Sequence, residues 1–79
     1  MDQNTTPYAV IKTLATLSEN DSYAKRLRIV TWRGSPGKLD LRSWRKQLDG
    51  EELPGKGMTL TLREARVLAD TLTEYLEKE

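Results

Sequence analysis

The chain has 79 residues and no cysteine or histidine, which leaves room for one small domain and excludes disulfide bonds and the common zinc ligand sets. A domain of this size has a marginal core, so we expect a homodimer to supply the remaining stability. The formal net charge is only +1, but it is segregated, because residues 25–46 carry +7 and the rest of the chain carries −6.

The first seven residues, MDQNTTP, are polar and predict a disordered tail ahead of a single domain that spans residues 8–79. This segment lacks the apolar core of a signal peptide, and no apolar run is long enough to cross a membrane. Together with the absence of cysteine, these features predict a soluble cytoplasmic protein.

The next segment, residues 8–18, is rich in β-branched and apolar residues and runs into a turn-forming cluster at residues 19–22. This composition predicts a first strand over residues 11–18. A helix remains an alternative, because Leu14 and Leu17 also fit a helical period.

Two alternating segments, residues 25–32 and 38–44, follow and predict an antiparallel hairpin. Apolar residues occupy every second position in each segment, which is typical of a half-buried strand. The turn between them, residues 34–37, contains a proline that fixes φ and glycines that permit positive φ. One face of the hairpin carries Leu27, Ile29, Thr31, Leu39 and Leu41. The other carries Arg26, Arg28, Val30, Trp32, Lys38, Asp40, Arg42 and Trp44.

The last third of the chain predicts a polar connection over residues 45–57, a short fourth strand over residues 58–60 and a helix. The helix begins at a capping box formed by Thr61 and Glu64. One apolar stripe runs along it and consists of Leu62, Ala65, Leu68, Ala69, Leu72, Tyr75 and Leu76. The fold class is therefore α+β, four antiparallel strands and one C-terminal helix (ββββα). We expect the helix to cover one face of the sheet and to leave the arginine-rich face open.

The arginine-rich face combines cations with two indole rings, Trp32 and Trp44. A charged face alone is usually only solvated surface, and a single tryptophan often caps the edge of a core. Indoles interleaved with arginine and lysine are more informative, because single-stranded nucleic acids are bound by basic tracks along the phosphates and aromatic rings under the bases. The pattern favours a nucleic-acid-binding surface.

Enzymatic activity is not expected. Residues 50–57 imitate a phosphate-binding loop, but Gly57 stands where the motif requires serine or threonine, and no parallel strand precedes it. We expect Pro54-Gly55-Lys56-Gly57 to form a tight turn that presents Lys56 at the edge of the sheet. Without histidine or cysteine, the usual catalytic bases and nucleophiles are missing. No cofactor, metal or small-molecule substrate is expected.

Three motifs carry a resemblance to a known family. They are Trp32-Arg33-Gly34, the segment Lys38-Leu39-Asp40-Leu41-Arg42-Ser43-Trp44, and Pro54-Gly55-Lys56-Gly57-Met58-Thr59-Leu60-Thr61. In order and spacing they resemble the single-stranded DNA-binding domain of the transcriptional positive cofactor four family, in its compact bacterial form. The similarity covers most of the chain, from Ile11 to Leu76. It departs from the family pattern in the longer turn at residues 35–37 and in the Glu-rich connection after Trp44.

The resemblance implies a strongly curved four-stranded sheet that dimerises to form paired grooves and binds single strands or melted duplex with weak sequence preference. It assigns base stacking to Trp32 and Trp44. Phosphate or base-edge contacts are assigned to Arg33, Lys38, Arg42 and Lys56, with further basic contacts from Lys25 and Arg26. Arg28, which shares a face with Arg26, completes the predicted nucleic-acid-binding set.

The leading hypothesis is therefore single-stranded DNA binding by a homodimer in a transcription coactivator-like or genome-maintenance role, associated with the nucleoid if the source is bacterial. A protein-interaction module whose basic face docks an acidic partner is one alternative. RNA binding is another, because stacking and phosphate contacts do not distinguish the sugar.

Overall fold

The computed structural model describes residues 7–78 and shows a four-stranded antiparallel sheet followed by one helix. The strands pair in the order β1-β2-β3-β4, which confirms the predicted ββββα fold. Except for Pro7, the predicted disordered tail lies outside the described residues. No helix among residues 7–78 is both long and apolar enough to cross a membrane. The elements are β1 Tyr8–Glu19, β2 Tyr23–Trp32, β3 Lys38–Lys46, β4 Glu52–Leu60 and α1 Leu62–Glu77.

Strand β1 is bent by three irregularities in its pairing with β2. The register shifts between Val10 and Lys12, again between Thr13 and Ala15, and again before Ser18. Each shift is a β-bulge that leaves one β1 residue without its own partner, and bulges bend and twist the strand that contains them. The extra residues are Ile11, Leu14 and Leu17. These bulges curve the sheet.

The bulges also explain why residues 8–18 fit a helical period as well as a strand. With one bulge in every three residues, the residues of β1 that face one side of the sheet recur every three positions. On one side, Thr13 and Thr16 accept hydrogen bonds from Arg28 and Arg26 of β2. A spacing of three resembles the helical period of 3.6. The strand is confirmed, and the helix alternative is wrong.

The predicted hairpin of β2 and β3 is confirmed, with unbroken pairing from Val30 opposite Lys38 to Tyr23 opposite Arg45. Its turn begins at Arg33, whose φ of 55° lies in the left-handed region, and continues through Gly34 at 81°. The turn therefore starts one residue earlier than the sequence pattern predicts and holds Arg33 exposed at its tip.

Strand β4 is much longer than predicted, because it begins at Glu52 rather than at residue 58. The prediction of a tight turn at residues 54–57 is wrong, since these residues lie within β4, where Pro54 and Gly57 pair with β3. Glycine is required here for close approach: a Cβ on Gly57 would lie 1.9 Å from the Cβ of Arg42. A register shift opposite Ser43 accommodates the segment, and Pro54 is tolerated because β4 is an edge strand.

Helix α1 begins at the predicted capping box. The backbone N–H of Glu64 donates to Thr61 Oγ1 at 3.0 Å, and the N–H of Thr61 donates to Glu64 Oε1 at 2.9 Å. The prediction that the helix covers one sheet face is wrong, because α1 packs mainly against β4 and none of its residues is buried. Helix α1 follows β4 after the single residue Thr61 and stays beside this edge strand. Its apolar stripe stays exposed.

The curvature gives the sheet a concave inner face and a convex outer face. The inner face carries Tyr8, Ala24, Arg26, Arg28, Val30, Trp32, Asp40, Arg42, Trp44 and Glu52, and the outer face carries Leu27, Ile29, Leu39, Leu41, Met58 and Leu60. The buried residues among positions 7–78, Ala24, Val30, Asp40 and Trp44, all lie on the inner face. The face that was expected to be open is therefore the more enclosed one. Tyr8 shows how far the sheet closes, because its hydroxyl donates to the Glu52 carbonyl, linking β1 to β4 at 3.0 Å.

Candidate nucleic-acid interface

Three aromatic rings meet on the inner face. The ring centroid of Tyr8 lies 5.6 Å from that of Trp32 and 5.7 Å from that of Trp44, with tilted planes in both pairs. Trp44 is fully buried and Trp32 is half-buried. Neither indole N–H has a hydrogen-bond partner among the described residues. Such N–H groups usually find a partner when buried, so this cluster has unused donors.

Two arginines cover the indoles. The guanidinium carbon of Arg28 lies 4.6 Å from the centroid of the Trp44 ring, and that of Arg42 lies 4.8 Å from the centroid of the Trp32 ring. Both are cation–π contacts. The prediction that Trp44 faces outward as an accessible stacking platform is wrong for this conformation, because strand alternation places the ring on the arginine face but curvature then encloses it. Its role in base stacking stays a prediction.

Glu52 forms ion pairs with two of the predicted binding arginines. Arg26 donates to its carboxylate from Nε at 3.1 Å and from Nη2 at 2.6 Å, and Arg28 Nη2 lies 2.9 Å from the same group. The hydrogen bond from Arg26 lowers the pKa of Glu52, the charge of Arg28 lowers it further, and partial burial opposes both. The same bond to Glu52 raises the pKa of Arg26. This pair of arginines is engaged within the molecule.

A second ion pair fixes Arg42. Its Nε and Nη2 donate to the two carboxylate oxygens of Asp40 at 2.7 and 2.8 Å, and its Nη1 donates to the Gly55 carbonyl at 2.9 Å. Asp40 is fully buried, and this fork-shaped contact satisfies both of its carboxylate oxygens. Arg42 is thereby held rigidly against Trp32, and it also ties β3 to β4.

The edge of the inner face carries another charge contact. Lys46 Nζ lies 2.6 Å from Glu19 Oε2, and Arg26 Nη2 lies 3.4 Å from the same oxygen. Hydrogen bonding to Lys46 and the charge of Lys46 lower the pKa of Glu19. Within residues 7–78, no group of three or more acidic side chains is arranged to hold a metal ion.

An open groove remains at the turn end of the inner face. It has a volume of about 460 Å³, and we call it the rim groove. Its lining brings together three of the predicted site residues and adds Ser35 and Thr59. Trp32 supplies a half-buried ring, and Lys38 is exposed. The rim groove is lined by Trp32, Ser35, Lys38, Arg42 and Thr59.

The other predicted cations lie elsewhere. Lys25 shares the pleat of Leu27 and so belongs to the outer side of the sheet, at the end far from the rim groove. Lys56 lies at that end too, in a cavity of about 500 Å³ that Tyr23 and Arg45 also line. Among the described residues, none of these cations has a carboxylate within ion-pair distance. The predicted residues therefore form three groups: an enclosed cluster, the rim groove with Arg33 on the adjoining turn, and this outer end.

Sequence reasoning missed the residues that enclose the inner face. Glu52 belonged to a segment predicted to be a loop, and Tyr8 preceded the predicted start of β1. These residues are 44 positions apart, and only the curvature brings them together. Exposed Tyr23 and Arg45 were also missed. The signal that could have found Arg45 was its place in the basic run, and Tyr23 lies two residues before the predicted second strand.

The fold and this interface define a small curved-sheet domain with a cationic, aromatic-lined inner face. Residues 20–71 match the family model described as Transcriptional Coactivator p15 (PC4). Because the match covers more than half of the chain, the chain belongs to this family of single-stranded DNA-binding, non-enzymatic coactivators. The resemblance stated from the three sequence motifs is thereby confirmed. No curated protein matches the chain in sequence.

Proposed function

We propose that this chain binds single-stranded DNA with weak sequence preference and without catalysis, in a coactivator-like or genome-maintenance role. The rim groove is the observation that supports this most directly. There Trp32 offers an indole for a base, and Lys38 offers an exposed cation for a phosphate. Stacking on an aromatic ring contributes about 1–3 kcal/mol per base and tolerates any base, which agrees with membership of this family.

The outer end of the sheet extends the proposed contact surface. Lys25, Arg45 and Lys56 are exposed around Tyr23, whose side of the sheet also carries a cavity. A phosphate backbone that leaves the rim groove would find free cations there, and each neutralised phosphate adds to the salt dependence of binding. We propose that these residues add affinity rather than base recognition.

We also propose that the chain acts as a homodimer. The outer face and the helix leave apolar side chains exposed, with Ile11 at 59%, Met58 at 55% and Leu72 at 48%. Large exposed apolar surface usually marks an interaction site in a soluble protein. Two copies that share the apolar surface around Met58 and α1 would bury both helices and leave the inner faces and the cations of the outer end outside the contact.

The binding proposal is tested by titrating a labelled oligo(dT) of about 20 nucleotides and following fluorescence anisotropy at several salt concentrations. Trp32→Ala should weaken binding at every salt concentration by about 1–3 kcal/mol. Lys38→Ala should reduce the salt slope by about 0.7, the value expected for one single-strand phosphate contact. Arg66→Ala on the exposed helix is the matched control and should change little. Unaltered affinity in both groove variants would contradict the site.

Two comparisons complete this test. Oligo(U) in place of oligo(dT) reports whether the site discriminates between DNA and RNA. Dimerisation is tested by sedimentation equilibrium, in which Met58→Glu should give a monomer because it places a charge on the outer face. Gln47→Glu, in the connection between β3 and β4, should leave the assembly unchanged. A wild-type monomer at all concentrations would contradict the dimer.

A further inference from the structure

The pair Arg26 and Arg28 forms a ready anion site on the inner face. Both guanidinium groups converge on one carboxylate, that of Glu52, through contacts of 2.6 to 3.1 Å. Each arginine side chain is only 12% exposed, so the site is preorganised and partly dehydrated. Converging arginines present several N–H donors, and the geometry of these donors suits the oxygens of a carboxylate and of a phosphate equally well.

The present occupant of this anion site lies at a movable position. Glu52 is the first residue of edge strand β4, and its pairing with Lys46 is the last in the β3–β4 ladder. The residues before it form the connection between the two strands. Because only the end of the ladder needs to open, the carboxylate can leave without disrupting the rest of the sheet.

An aromatic surface and a cavity lie beside the anion site. Arg28 covers the Trp44 ring at 4.6 Å. The cavity, of about 360 Å³, is lined by Tyr8, Val10, Arg28, Trp44 and residues 50–52. A phosphate at the anion site would place its neighbouring base close to this cavity. The observed arrangement is therefore a phosphate-binding pair next to an indole, with an acidic side chain in the phosphate position.

We propose that Glu52 is an internal competitor that occupies the Arg26–Arg28 anion site until a phosphate of a bound single strand displaces its carboxylate and opens access to Trp44. This inference rests on the proposed function and names how the inner face is regulated. It explains why two enclosed arginines of this member of a nucleic-acid-binding family are already paired with a carboxylate. It also assigns Trp44 to a second base position that is closed in the free protein.

The experiment compares Glu52→Gln with Glu74→Gln by oligo(dT) titration. Both substitutions remove one negative charge, but exposed Glu74 lies on α1 and contacts neither arginine. Glu52→Gln should tighten binding roughly tenfold at about 0.1 M salt, because the phosphate no longer has to displace a carboxylate. The salt slope should stay close to that of wild type, because a phosphate contacts both arginines in either complex. Glu74→Gln should change affinity by less than about twofold, since salt screens an exposed charge that touches neither arginine. Equal affinities of the two variants would overturn the proposal.

A second measurement uses the natural chain and does not depend on how well a variant folds. The side-chain carboxyl carbon of Glu52 is followed by NMR during a pH titration, with and without saturating oligo(dT). In the free protein the pKa of Glu52 is lowered by Arg26. After displacement, the pKa should rise to its ordinary value or above, because phosphates replace arginines as neighbours. A pKa that stays lowered in the complex would overturn the proposal.

The outcomes separate the two levels of the argument. If wild-type protein binds oligo(dT) and Glu52 neither moves nor affects affinity, the anion pair is purely structural and the inference fails while the proposed function stands. If neither wild type nor Glu52→Gln binds oligo(dT) at low salt, the proposed function fails and the inference fails with it.

Discussion

The burial of the two faces of this sheet is the reverse of that in most antiparallel sheets. An antiparallel sheet commonly packs its apolar face on a core and leaves its polar face to solvent. Here the inner face carries the arginines and yet contains every buried residue in the part of the chain that the structure describes, including Asp40. The outer face carries the aliphatic side chains, and Met58 is 55% exposed.

Curvature, and not hydropathy alone, decides which face of the sheet is enclosed in a single copy. Bulges in β1 curl the sheet towards its charged side, and ion pairs make that burial tolerable because each enclosed charge has a partner. The apolar side chains of the outer face cannot be buried by the same curvature. A convex apolar surface can be buried only by another surface, so the proposed dimer and the closed inner face are consequences of the same shape.

The largest expected effect comes from breaking the buried ion pair on the inner face. Asp40→Ala should lower the free energy of unfolding by about 3–5 kcal/mol, because it leaves the Arg42 guanidinium enclosed without a counter-charge. Urea unfolding at neutral pH measures the change. Asp70→Ala on the exposed helix surface is the control and should cost well under 1 kcal/mol by the usual effect of surface substitutions. A similar cost for both would mean that the inner face is solvated rather than enclosed.

A smaller effect is expected from acid. The pKa of Glu52 is lowered in the folded protein, chiefly by Arg26, and that of Glu19 is lowered chiefly by Lys46. Their stabilising contribution is complete above the ordinary value of 4.5 and is lost as pH falls through the lowered folded values, because the unfolded chain then binds more protons. Urea unfolding between pH 7 and pH 3 should show this fall. Glu52→Gln should flatten the profile, and a profile identical to wild type would be inconsistent with the ion pair.

The smallest effect is expected from opening the contact between the two edge strands. Tyr8→Phe removes the hydroxyl that donates to the Glu52 carbonyl while keeping the ring between Trp32 and Trp44. The free energy of unfolding should fall by about 0.5–1.5 kcal/mol, the usual net value of one hydrogen bond. Tyr23→Phe at the exposed outer end of the sheet is the matched control. No difference between the two variants would mean that β1 and β4 do not depend on this bond.

The sequence predicted the elements whose pattern is local. Strict alternation placed Leu27 and Arg28 on opposite faces of β2, and the Thr61–Glu64 capping box fixed where α1 begins. Strand β4 was mostly missed because proline and glycine normally interrupt strands, whereas here Gly57 allows the backbone of β4 to approach Arg42.

Which residues belong to the candidate site could be predicted from the sequence, but how exposed their side chains are could not. Alternation correctly placed both indoles on the arginine face, but it carries no information about how strongly that face is curved. The enclosure of Trp44 depends on contacts between distant strand ends, such as the bond from Tyr8 to Glu52. Pairing of Arg26 with Glu52 could not be predicted while Glu52 was assigned to a loop.

Because of the three bulges, the curvature of the sheet depends on the number of residues in β1. Twelve residues of β1 accompany the nine residues of β2 from Ala24 to Trp32, and the surplus is spread evenly along the strand. We expect a curvature set by the number of residues in β1 to persist when the side chains on the inner face exchange partners. A single-residue deletion at Ile11 would therefore change the curvature of the whole sheet, whereas a substitution at the same position would change only its surface.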